Sequence, residues 1–318
     1  MELTLIVALL ILGIILIIKG GDFFVDAASW IAEISGIPKL IIGATVVSLA
    51  TTLPEILVSL MAAAKGKVDM SIGNAVGSVT VNIGLIMALS LLCIPFIIKR
   101  KDYLLKSLLM LAACALIVTA GFVGEVGIVL SICLFLICGA FFWENITLAR
   151  RSMAQNGQTE DKPVITRTEV IRNVAKFVFG AAGIVWGADL LVNNGSELAR
   201  LAGISERIIG LTFVAVGTSL PELITTITAI VKKQSSLSVG NIIGANIIDL
   251  TLILPLCSLL SGKALPISPV MAAFDLPACM LIGCVALIPT LFTQKFQRWQ
   301  GIALLTLYGG YMVITCLA

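Results

Sequence analysis

Long apolar runs broken by short polar stretches fill this chain from end to end. Ten of them approach the ~20 residues that a helix needs to cross the hydrocarbon core of a bilayer. They fall near 4 to the low thirties, 39–64, 70–93, 103–121 and 125–147, then near 174–199, 206–232, 237–261, 267–291 and 297–317. The period-2 alternation of a transmembrane barrel is absent, so the expected fold is an all-α polytopic membrane protein of ten transmembrane helices. The first run follows Glu2 and precedes Lys19, with no basic segment ahead of it, and reads as a span and not a cleaved leader. The longest hydrophilic stretch, Arg150 to about Arg172, separates two halves. The predicted organisation is a first five-helix repeat over 1–147, a linker over 148–172 and a second five-helix repeat over 173–318.

The halves also repeat in sequence. Residues 43–59 read GATVVSLATTLPEILVS and residues 210–226 read GLTFVAVGTSLPELITT, which sets Glu55 and Glu222 167 positions apart. The same interval carries Gly73, Asn74 and Gly77 onto Gly240, Asn241 and Gly244, and Gly20 and Asp22 onto Gly187 and Asp189. A shared register of that extent indicates internal duplication. Because five spans is an odd number, the two copies must enter the membrane from opposite faces. That is the inverted-topology repeat of many secondary transporters.

Composition narrows the class. With 59% hydrophobic and 12% charged residues and a mean hydropathy of +1.10, the chain cannot be a soluble domain. Its formal net charge of +3 gives no reason to expect nucleic acid. Among the 21 Lys and Arg, fifteen sit in the odd-numbered gaps (Lys39, Lys99, Arg100, Lys101 and Lys106 among them) and five in the even-numbered ones. The positive-inside rule then puts the central linker in the cytoplasm and both termini outside, in a plasma (inner) membrane. The absence of histidine removes the commonest zinc ligand and proton shuttle. Eight cysteines, none in a Cys-x-x-Cys pair, read as small buried hydrophobes.

The repeated stretch carries the chemistry. A carboxylate at bilayer depth costs roughly 2.5–3.5 kcal/mol or more, so it normally faces a cavity or a partner. No basic residue lies within either apolar run to pair with Glu55 or Glu222, which points to an exogenous cation. Thr51 and Glu55 share a helix face, as do Thr218 and Glu222. Pro54 and Pro221 free the carbonyls of Ala50 and Gly217, and Thr52 and Ser219 add hydroxyls. The third span adds Asn74, Ser78 and Asn82 at helical spacing; its counterpart reads Asn241, Ala245 and Asp249. This donor set is all oxygen and favours Ca²⁺ or Na⁺ over transition metals, with Mg²⁺ a poorer fit because it dehydrates reluctantly.

The paired GTSLPE-type and GN-x-x-G motifs resemble the α-repeats of the sodium/calcium exchangers, within the calcium:cation antiporter superfamily. The resemblance covers nearly the whole chain. It implies that Glu55 and Glu222 are central Ca²⁺ ligands assisted by Thr51 and Thr218. It further implies that Ser48 and Ala215 supply backbone carbonyls to flanking Na⁺ sites, with Thr52, Ser78 and Ser219 on Na⁺ and Asn82 and Asp249 at a middle site. Ala50 and Thr52 stand where the pattern has glycine and serine, and Ala245 where many members have serine, so one hydroxyl is missing.

The expected function is Ca²⁺ extrusion in exchange for Na⁺ by alternating access, with no cofactor beyond the transported ions and no enzymatic chemistry. Rival readings are a Ca²⁺/H⁺ antiporter, a K⁺-dependent Na⁺/Ca²⁺ exchanger and, in another class, a passive cation channel. The linker is too short for a folded Ca²⁺-sensing domain.

Overall fold

In hydrocarbon every backbone polar group must be satisfied within the chain, which leaves helices as the building unit for these apolar runs. The structure, a computed structural model, describes residues 3–64, 66, 68–93, 100–156, 166–201, 217 and 219–317. Its helices in chain order are α1 (Leu3–Ser35), α2 (Lys39–Thr51), α3 (Leu53–Ala64), α4 (Val68–Cys93), α5 (Arg100–Val123) and α6 (Ile128–Asn156). There follow α7 (Arg167–Leu201), α8 (Leu220–Val231), α9 (Ser235–Ser261), α10 (Met271–Thr293) and α11 (Arg298–Leu317).

Among the described residues, seven helices (α1, α4, α5, α6, α7, α9 and α10) contain a stretch long and apolar enough to cross a membrane. The α2–α3 pair, bent by 43°, makes an eighth if counted as one span. Of the span expected at 206–232, α8 is the 12-residue second half, and residues 206–216 lie outside the described residues. Helix α11 occupies the place of the last expected span. The chain is thus a helical, multi-pass membrane protein. Large apolar side chains such as Ile15, Phe179, Trp186 and Phe292 stay exposed on its flanks, as a lipid-facing surface requires.

Two close helix pairings organise the bundle, and both use glycine. Helices α1 and α7 run antiparallel: a Cβ on Gly20 would stand 2.8 Å from the Gly180 carbonyl oxygen, and one on Gly187 would stand 2.7 Å from that of Gly13. Gly13 and Gly20 are the 167-residue equivalents of Gly180 and Gly187, so the contact is reciprocal. Helix α2 lies against α9, where Gly43 meets the Leu237 carbonyl and Gly240 and Gly244 meet those of Leu40 and Ala44. Small residues allow backbones this near, and close packing is what holds helices together in lipid. Behind α2 and α9, the buried core runs through Ile72, Val79, Ile83, Met110, Ile117, Ile243, Ile247 and Ile282.

Contacts at the bundle ends sort the connections into two groups. Glu125–Val126 pairs antiparallel with Leu265–Pro266, which brings the α5–α6 and α9–α10 turns together. At the other end of the 27-residue α9, about 40 Å away at 1.5 Å per residue, Lys39 Nζ donates to Gln234 at 2.7 Å. Beside it Lys232 Nζ lies 2.8 Å from Asp26 and 3.3 Å from Asp22 on α1.

One basic residue assigned to a gap from the sequence lies elsewhere. Lys106 is fully buried inside α5, with Nζ 3.2 Å from Glu144 Oε2 on α6. An uncompensated ammonium would be costly there, so Lys106 reports helix pairing and not sidedness. Helices also invade both ends of the expected linker: α6 carries Arg150 and Arg151 on to Asn156, and α7 starts at Arg167.

Prediction: Gly240→Leu overpacks the α2–α9 seam and should cost about 1–3 kcal/mol, whereas Gly139→Leu, with nothing within 4 Å, should be neutral. Thermal unfolding of the two purified variants in detergent checks the contrast.

Candidate cation site

The site begins with two broken helices. In α2, Thr52 N–H still reaches the Ser48 carbonyl (2.9 Å), but Pro54 offers no N–H and the helix stops. Thr52 adopts φ −81°, ψ −3°, and Ser219, its equivalent, adopts φ −89°, ψ 6°. Both lie in the bridge region, where many active-site residues sit. After each break the chain restarts in the same way: Ile56 N–H bonds the Thr52 carbonyl at 3.0 Å, and Leu223 N–H bonds that of Ser219 at 3.1 Å. Glu55 and Glu222 therefore fall in the first turn of α3 and α8. Helix N-termini favour negative charge.

The third and eighth expected spans bring a second pair of irregularities. Asn82 opens a π-helical turn over Asn82–Met87, and Asp249 opens one over Asp249–Ile253. Such turns in the middle of a helix are frequent at functional sites. A third, Gly43–Val47, precedes Ser48.

These elements converge. Glu55, Glu222, Asp249, Thr51, Thr52, Ser48, Ser78, Asn82 and Ser219 are all buried, none more than 3% exposed. The Thr52 hydroxyl donates to Glu222 Oε1 at 3.4 Å, linking the two repeats across 170 residues. Thr51 Oγ1 donates to Asn241 Oδ1 at 3.2 Å. Glu55 is within electrostatic reach of both Glu222 and Asp249, and Asp249 within that of Glu222. Thr218 and Ala215 lie outside the described residues.

The cluster's oxygens are unusually short of donors. Both carboxylate oxygens of Glu55 and of Asp249, Glu222 Oε2, Ser78 Oγ, Ser219 Oγ and Asn82 Oδ1 are buried without a hydrogen-bond partner among the described residues. No basic side chain forms an ion pair with any of the three acids among the described residues. Buried carboxylates without hydrogen bonds are strongly disfavoured unless a cation or proton compensates them. These oxygens come from four helical segments and are of the kind that hard cations such as Ca²⁺ accept, although among the described residues no three acids stand close enough together to hold one metal ion.

Three residues absent from the sequence-derived ligand set support it. Asn74 Nδ2 donates to the Glu55 carbonyl (3.2 Å) and to Ser59 Oγ (2.9 Å). Asn241 Nδ2 donates to Thr225 Oγ1 (3.0 Å), whose hydroxyl donates to the Glu222 carbonyl (3.0 Å). Asn246 Oδ1 accepts from Asn82 Nδ2 at 3.1 Å. Asn74 and Asn241 stand out in the sequence as a matched pair of amides in apolar runs. Asn246 has only Val79 as its equivalent, so the repeat pattern gives no hint of it.

Known proteins resemble this chain along most of its length. The family model described as sodium/calcium exchanger protein matches residues 5–146 and 173–317. The inner membrane protein YrbG of Escherichia coli (strain K12) is 34% identical over 313 residues, covering 96% of this chain and 94% of that protein. The sodium/calcium exchanger MaX1 of Methanosarcina acetivorans is 29% identical over 351 residues, covering 96% and 97%. The structure of the sodium-calcium exchanger NCX_Mj, soaked with Na⁺ and Sr²⁺, superposes with a TM-score of 0.78 at 31% identity, covering 96% of this chain and 97% of that one.

Prediction: Asn74→Leu removes both the bond to Ser59 Oγ and the bond to the Glu55 carbonyl, and should lower stability by about 1–3 kcal/mol. Ser59→Ala, which leaves the bond to the Glu55 carbonyl in place, should cost less; thermal unfolding of the two variants in detergent checks the order.

Proposed function

Because this chain belongs to the sodium/calcium exchanger family, we propose that it exchanges Ca²⁺ for Na⁺ across the inner membrane through the cluster around Glu55 and Glu222. The observation that carries this reading is the set of buried carboxylate oxygens with neither donor nor basic partner. In hydrocarbon they require a cation, and an all-oxygen donor set suits hard ions. The proposed ligands are Glu55, Glu222, Thr51, Thr218 and Asp249, with Asn82, Ser78, Thr52, Ser219 and the Ser48 and Ala215 carbonyls completing the Na⁺ positions. Since both ions would share the two glutamates, their binding is mutually exclusive.

Obligate exchange then follows from electrostatics. An empty cluster of ionised acids cannot be desolvated without a large penalty, so the site changes face only when loaded. In this reading ten spans form two inverted repeats, the linker is cytoplasmic and the termini are outside. The reciprocal α1–α7 glycine contact and the sorting of end contacts support that arrangement. Helices α1 and α7 lack the motifs and act as the sliding gate. Gly21 offers α8 a smooth face, where a Cβ would stand 2.8 Å from Thr228 Oγ1, and Lys232 tethers α1 through Asp22 and Asp26. Three Na⁺ per Ca²⁺ would carry one net charge, worth about 2.3 kcal/mol per 100 mV, and would drive extrusion from a negative-inside cell.

One feature favours a second reading. Ala245 supplies no hydroxyl beside Asp249 and Asn246, which weakens one Na⁺ position and leaves room for H⁺ as the coupling ion.

Prediction: vesicles loaded with Na⁺ should take up ⁴⁵Ca²⁺ down an outward Na⁺ gradient, and Glu55→Gln or Glu222→Gln should abolish uptake. Uptake driven by a pH gradient and indifferent to Na⁺ would select the proton-coupled reading; exchange retained in both mutants would remove the glutamates from the site.

A further inference from the structure

The amide of Asn82 is held in one sense by a single partner. Its Nδ2 donates to Asn246 Oδ1 at 3.1 Å, and both residues are at most 1% exposed. Among the described residues that bond leaves Asn82 Oδ1 and, at the far end of the pair, Asn246 Nδ2 without a partner, and Asn82 is the residue that opens the π-helical turn of α4. Asn246 precedes Asp249 by three positions, so the two share a face of α9. The amide that bonds Asn82 and the acid paired with it in the exchanger reading thus sit on one turn of α9.

Orientation matters because an amide has two nearly equal ends. Turned by half a rotation, Asn82 would offer Nδ2, a donor, to whatever cation its oxygen would otherwise meet. In bulk water the two orientations exchange freely; in a dry site only a neighbouring acceptor can choose between them. We propose that Asn246 is a positioning residue for cation binding, which keeps the Asn82 oxygen and not its nitrogen available to the ion. This rests on the exchanger reading, since it needs an ion at the acidic cluster.

The inference also accounts for an asymmetry. The position equivalent to Asn246 in the first repeat is Val79, and the residue equivalent to Asn82 is Asp249, whose two carboxylate oxygens are chemically alike. A carboxylate needs no partner to turn an oxygen inward, whereas an amide does. The orienting side chain is present opposite the amide, and its equivalent opposite the acid is apolar.

The test is a double-mutant cycle on the full-length protein, comparing wild type, Asn246→Ala, Asn82→Ala and the double variant. Binding is read as the concentration of Na⁺ and, separately, of Ca²⁺ that raises the melting temperature of the purified protein, so transport is not required. Asn246→Ala should weaken apparent affinity by about fivefold to tenfold, as expected for one lost hydrogen bond. In the Asn82→Ala background, where no amide remains to orient, the same change should have no further effect. Asn246→Ser, which keeps a small polar side chain, supplies the cycle if the alanine variant does not fold. Equal losses in both backgrounds, or a lowered melting temperature with unchanged ion affinity, would overturn the inference and leave the exchanger reading intact. A wild-type protein that neither ion stabilises would overturn both.

Discussion

Acidic oxygen buried within a lipid-facing bundle is the constraint to which the rest of this molecule answers. Three carboxylates are gathered at the centre of a lipid-facing bundle, and no lysine or arginine pairs with them among the described residues. Elsewhere the same fold handles a buried charge in the ordinary way, by setting Lys106 against Glu144. The contrast separates charge neutralised by the chain itself from acids that no basic side chain pairs with among the described residues.

Local geometry follows from that need. A regular helix hides its carbonyls in its own ladder and cannot offer them to an ion. The Thr52–Pro54 and Ser219–Pro221 breaks open the ladder beside each glutamate, and the π turns at Asn82 and Asp249 loosen it in the facing helices. Side chains also tie down the carbonyl of each glutamate: Asn74 donates to that of Glu55 and Thr225 to that of Glu222. Two different side chains thus solve the same problem in the two repeats. The glycines at 43, 240 and 244 allow α2 and α9 to approach until these groups meet.

Symmetry is close but incomplete, and its breaks are chemically informative. Asn82 faces a functional role that Asp249 plays with a carboxylate, Ser78 is answered by Ala245, and Val79 by Asn246. All three differences fall within two turns of helix around one part of the cluster. Duplication built a two-fold framework, and substitution then made its two halves unequal in charge and in donor capacity.

Spans, repeat and buried acids were legible in the sequence because each is a local property. Twenty apolar residues, a proline before a glutamate and a fixed 167-residue interval need no knowledge of neighbours. Among the described residues seven helices are long and apolar enough to cross a membrane, each on one of the ten expected apolar runs. Contacts between distant positions were not legible: Lys106 with Glu144, 38 residues on, or Asn82 with Asn246, 164 residues on. Periodicity says which face of a helix is apolar, but not which helix that face meets or at what height. Those choices depend on glycine-permitted backbone approach and on the depth at which each helix breaks. Only the packed bundle therefore decided which polar atoms were paired and which were left without a partner.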